Sequence, residues 1–136
     1  MPHASWALQK GVYDKLSADA VVTERLGGAH IYDDVPRKPE FPYLTFGQST
    51  LFDWSTGTEE GGEHVLTLHV WSRGGGKRET FEIMDAVTAS LSGQSLALAG
   101  HHLVSLRLEF AEARRDPDRL TYHGILRFRA VTEPIS

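Results

Sequence analysis

The segment Arg73-Gly74-Gly75-Gly76-Lys77-Arg78 follows a strand-like run and opens a helical one, which is the setting of a phosphate-binding loop. That chemistry needs a glycine, four residues, then Gly-Lys-Ser/Thr, so that backbone N–H groups cradle the phosphates and a hydroxyl meets the metal. Here Gly76-Lys77 is followed by Arg78, and Trp71 stands where the first glycine belongs. The segment therefore reads as a flexible connector. Lys77 and Arg78 sit at a helix start, where the dipole disfavours positive charge, and Glu79 and Glu82 offset them. Arg73, Lys77 and Arg78 are expected to meet an acidic neighbour.

Seven histidines raise the question of a metal. His64 and His69 lie on one strand-like run at odd spacing, so their side chains point to opposite faces. His101 and His102 are adjacent and diverge in the same way. No His-x-x-x-His pair exists and there is no cysteine, so no metal is expected. The acid pairs Asp33-Asp34 and Glu59-Glu60 stand beside loop signals, where carboxylates are solvated rather than tuned for acid–base work. No Gly-x-Ser-x-Gly elbow is present, and Ser72 and Ser105 have no evident base. Neither an enzyme nor a cofactor is expected.

The elements that must position these residues are readable from periodicity. Leu8, Val12 and Leu16 predict a helix over 5–17, weakened by Gly11, which costs ~1 kcal/mol against alanine. Asp19 predicts an N-cap for a short helix over 20–26 that Gly27-Gly28 stops. Residues 31–35 read as short and extended, and Pro36, Pro39 and Pro42 as a non-helical linker. Strands are predicted over 43–53 and 63–72 around a glycine-bearing loop at 54–62. A main helix is predicted over 77–92, and two further strands over 102–112 and 121–133. Leu66, Leu68 and Val70 share one face of their strand, and Val65, Thr67, His69 and Trp71 the other. Val104, Leu106, Leu108 and Phe110 form the apolar line of the third strand. Asp116-Pro117-Asp118 marks the turn before the fourth.

The expected fold is therefore α+β: one domain over 1–136, a mainly antiparallel sheet of about four strands, helices on one face, and α-β-β-α-β-β order. The opposite face carries His69, Trp71, Arg107, Glu109, Arg127 and Arg129, a mixed set suited to a subunit contact. Trp54 opens the polar loop. Both Trp54 and Trp71 suit interface anchors, the plain alternative being core packing.

The formal charge of −4 argues against a general nucleic-acid binder. The N-terminus has no basic stretch leading into an apolar run, and no run approaches the ~20 residues of a membrane span, so neither a leader nor a membrane partner is expected. Absence of cysteine fits synthesis in a reducing cytoplasm.

Several segments, in order, carry a resemblance. They are Ile31-Tyr32-Asp33-Asp34-Val35-Pro36, Phe41-Pro42-Tyr43-Leu44-Thr45-Phe46-Gly47, Asp53-Trp54-Ser55-Thr56, and Glu63-His64 running into Leu66 to Arg73. Arg114 to Asp118, Tyr122-His123-Gly124 and Arg127 to Val131 complete it. Together they resemble the tail-completion (tail-terminator) family of long-tailed phages, especially the terminators of bacterial gene transfer agents, over about residues 6–133. The resemblance implies a non-enzymatic hexameric ring that caps the tail tube and joins it to a head-side connector or stopper protein, leaving a channel for DNA. Its partners would be itself and the tail-tube protein, and its place the head–tail junction of the particle. A head–tail stopper or minor tube subunit is the alternative in the same class. A small hydrolase or ligand-binding module, which would have to gather some of His64, His69, Asp33 and Asp34, is the alternative in another. An acidic balance suits a wall that DNA passes without binding. The candidate contact residues are Trp54, Glu59, Glu60, His69, Trp71, Arg73, Arg107, Glu109, Arg127 and Arg129, and the loop 54–62 is the candidate contact arm.

Overall fold

The computed structural model describes residues 3–54 and 60–135. Its elements are α1 (Ala4–Ala18), α2 (Ala20–Leu26), β1 (Ile31–Tyr32), β2 (Tyr43–Asp53), β3 (Gly62–Ser72), α3 (Lys77–Leu91), β4 (His101–Arg115) and β5 (Tyr122–Pro134). They form one sheet in the order β1-β2-β3-β5-β4, antiparallel except for the β1–β2 pair. The sheet has five strands, one more than the pattern predicts. The extra strand is β1, two residues long, in which Ile31 and Tyr32 pair with Leu44 and Thr45. A two-residue strand is too short to show alternation, and so 31–35 reads only as extended.

The helices form where the stripes predict. Leu8, Val12 and Leu16 of α1 are fully buried, as are Val22 and Leu26 of α2 and Ile83, Val87 and Leu91 of α3. They meet Leu44, Leu66, Leu68, Val70, Leu106, Leu126 and Phe128 from the strands in one hydrophobic cluster. Gly11 has a packing reason. A Cβ there would stand 2.5 Å from Leu98 Cδ2 and 3.2 Å from the Ala97 carbonyl oxygen, so any larger residue would make Leu98 and the Ala97 backbone shift away from α1.

Asp19 separates α1 from α2. Its carboxylate accepts from Val21 N at 2.9 Å and from Val22 N at 3.3 Å, satisfying two of the orphan donors of α2. Gly27, at φ 76°, ends that helix in the left-handed region. Asp19→Ala should cost about 1 kcal/mol, read as a lower urea midpoint with unchanged slope.

In β4 the outcome departs from the pattern. Leu106 is buried and Leu108 packs against the core, but Val104 is 50% and Phe110 38% exposed. The register slips between Leu103 and Ser105 and again between Leu108 and Phe110. Each bulge adds a residue and turns the following side chains to the other face, which strict alternation cannot anticipate. Beyond β4, Asp118 closes the predicted turn by accepting from Leu120 N and Thr121 N at 2.9 and 2.8 Å.

Candidate assembly interface

Period-two alternation sends Leu66, Leu68 and Val70 toward the helices and Val65, Thr67, His69 and Trp71 away from them. Strand pairing then decides which residues meet on this outer face. Trp71 stands opposite Tyr43 and His123, His69 opposite Thr45, and Thr67 opposite Arg127. Arg107 stands opposite Arg129.

One end of the face is an aromatic cluster. The Trp71 indole N–H donates to Thr45 Oγ1 at 3.0 Å, and its ring stacks on His123 at 3.9 Å and 12°. His69 Nδ1 lies 2.7 Å from His123 Nε2, so one imidazole donates to the other. Tyr43 adds to the stack at 6.3 Å from Trp71, and Phe41 lies 5.0 Å from Tyr43. Burial pushes the His123 imidazole down to about 4, with His69 and Arg114 acting in the same direction. Asp116 Oδ1, 4.0 Å away, opposes the shift but does not overcome it, so at neutral pH this contact is not an ion pair. His69 is pushed down by burial and by Arg114. The two imidazoles thus share one hydrogen bond and are closed over by the Trp71 ring.

Arg73 borders this end. Its Nε donates to Thr121 Oγ1 at 3.0 Å, its guanidinium lies 4.1 Å over the Phe41 ring, and it reaches Asp118 at 3.8 Å. Asp118, an acid of the same chain, thus faces Arg73. Arg78 meets Glu82 at 3.9 Å. Further along, Arg127 covers Phe110 at 4.8 Å, and Arg129 donates to Glu63 Oε1 at 2.6 Å. That bond holds the Glu63 carboxyl below its usual range and the Arg129 guanidinium above its own.

Of the sequence-predicted residues, His69, Trp71, Arg127 and Arg129 share this face, with Arg73 at its border. Arg107 is exposed beside Arg129, and Glu109 falls at the second bulge of β4, where its charge acts on Arg129. Trp54, 47% exposed, lines a groove with Glu60, Gly61, Val131 and Glu133 at the far end of the sheet. Glu59, with residues 55–59 of the candidate arm, lies outside the described residues. Sequence reasoning passed over His123, Tyr43, Glu63 and Phe110 as members of the face. The signal for His123 is its phase: it alternates with Tyr122 in step with Arg127 and Arg129.

The residues of the hydrolase alternative do not converge. His64 points into the core, fully buried, with Nε2 2.9 Å from Thr132 Oγ1, while His69 lies on the outer face. Asp33 lines a groove with Trp6, Tyr13 and Phe46. Among the described residues no group of three His, Asp or Glu side chains is placed to hold a metal ion. Among the described residues no helix is long and apolar enough to cross a membrane.

The chain is similar to known proteins over nearly its whole length. The family described as "Tail completion protein gp17" matches residues 10–133. The tail completion protein gp17 of Bacillus phage SPP1 is 26% identical over 126 residues, covering 93% of this chain and 92% of that protein. A chain from the virion of a native gene transfer agent particle superposes with a TM-score of 0.87 at 34% identity, covering 97% of this chain and 99% of its own. With 124 of its 136 residues inside the family's pattern, the chain belongs to the tail completion protein gp17 family.

Proposed function

We propose that this chain is a structural subunit that completes the tail of a phage-like particle, forming a hexameric ring that caps the tail tube and joins it to the head-side connector. DNA passes through the ring without specific binding. The observation that carries this reading is the near full-length match, at 34% identity, to a chain of a gene transfer agent virion. The geometry supports it in kind. A sheet face of mixed charge and aromatic residues turns away from the helices, while the candidate catalytic side chains stand apart. The contact residues proposed on this face are His69, Trp71, Arg107, Glu109, Arg127 and Arg129, with Arg73 at one end and Trp54 and Glu60 at the other. The aromatic cluster shapes the face, and the exposed Arg107 and Trp54 are the side chains free to reach a neighbour.

Deleting the gene in the producing strain tests the reading. Tails of uncontrolled length, or heads without attached tails, are the expected outcome. Normal particles that still deliver DNA would overturn it.

A further inference from the structure

We propose that neighbouring copies of this chain join edge to edge, the outer side of β4 in one copy adding to the outer side of β2 in the next. The inference rests on the ring reading above and names the surfaces that make the ring.

The sheet has two free edges of different character, residues 47–52 of β2 and residues 109–115 of β4; the first half of β4 is covered, because Gly93 N donates to the Leu106 carbonyl at 2.7 Å and Leu108 N to Ser92 Oγ at 3.2 Å. β1 pairs only with Leu44 and Thr45, so residues 47–52 of β2 have no strand on their outer side among the described residues. Their sequence, Gly-Gln-Ser-Thr-Leu-Phe, carries no charge and no proline. Natural edge strands are usually defended by charges, prolines or bulges, because a row of unpaired N–H and C=O groups recruits another strand. This stretch lacks those charges and prolines, and its one irregularity, between Phe46 and Ser49, comes at its start. Beside it, a largely apolar groove of about 270 Å³ is lined by Trp6, Tyr13 and Phe46 together with Gln9, Lys10 and Asp33, with Trp6 54% and Tyr13 40% exposed. An uncharged strand edge next to an apolar groove is the arrangement that strand addition uses: main-chain bonds give affinity and the groove takes side chains.

The occupant follows by elimination. β3 and β5 are paired on both sides and β1 has two residues, which leaves the second half of β4, residues 109–115, as the other open edge among the described strands. A β2–β2 or β4–β4 contact is self-complementary and stops at a dimer. A ring needs two different surfaces on each copy, and β4-to-β2 supplies them. The side chains agree. The open stretch of β4 carries both signs through Glu109, Glu112, Arg114 and Arg115, so an uncharged partner strand presents no like charge to any of them. It also exposes Phe110, which the second bulge has turned out of the core.

The chain has no cysteine, so introduced pairs report without background. Thr50 and Glu112 both belong to the outer sheet face, in register with Val65 and Ile125. Particles carrying Thr50→Cys with Glu112→Cys should, after mild oxidation, give a ladder of cross-linked multiples on a non-reducing gel. Phe110→Cys and Arg114→Cys in place of Glu112→Cys sample other registers. Each single variant should stay monomeric on the gel. If a double variant yields no particles, the two single variants co-expressed should give cross-linked dimers. Dimers from Thr50→Cys alone would overturn the proposal in favour of β2–β2 pairing. No cross-link from any pair, in particles whose images show a ring of this chain, would overturn the edge contact and leave the ring reading standing. Particles without such a ring would overturn both.

Discussion

Acidification from neutral pH to about pH 4 should remove on the order of 3 kcal/mol of folding stability through His123 alone. The free imidazole titrates near 6.5, whereas burial beside His69 and Arg114 brings His123 down to about 4 in the fold. Between those values the unfolded chain binds the proton and the folded chain does not. The stabilisation is therefore complete above about pH 6.5, falls as the pH drops through the window, and levels off below about 4. His69 and His64, both pushed down mainly by burial, act with the same sign. Glu63 and Asp118, held below the usual carboxylate range by Arg129 and by Thr121, begin to lose their contribution only at lower pH. Urea midpoints measured between pH 7.5 and 4 should show the loss. His123→Phe, which keeps a ring against Trp71 and removes the titration, should flatten the curve. A wild-type midpoint unchanged across this window would contradict the neutral, buried imidazole pair.

Phe128→Ala should destabilise the fold by about 3–5 kcal/mol, the range for emptying a fully buried aromatic site. Phe128 is completely buried on the core face of β5, opposite Leu66 of β3 and Leu108 of β4. Domains of this size are stable by about 5–15 kcal/mol, so the variant loses a large share of the total and its thermal midpoint drops accordingly. Phe110→Ala is the control. That ring is 38% exposed on the outer face against Arg127, and its removal should stay within about 1 kcal/mol. Equal effects at the two positions would contradict the assignment of faces.

The contrast between those two phenylalanines shows what could be read from the sequence. Alternation in β3 placed Leu66, Leu68 and Val70 inward and His69 and Trp71 outward, because that strand is regular along its length against β5. The same rule put Val104 and Phe110 with the core residues of β4, and two bulges reversed them. A bulge inserts one residue without a compositional mark, so the pattern stays clean while the geometry changes. Capping at Asp19 and the turn at Asp118 were readable because each is a short-range bond within three residues. The His69–His123 contact joins residues 54 positions apart and depends on the register between β3 and β5, which no local pattern sets. The composition of the outer face was thus readable from phase, whereas the pairing that neutralises His123 and occupies Trp71 and Arg73 within the chain was not.

The most direct test of the account is imaging of the native particle at a resolution that places this chain. The account predicts a single ring of six copies at the junction between tail tube and head connector, with its channel along the particle axis. Density for the chain repeated along the tube, confined to the head-side connector, or missing from the particle would contradict it.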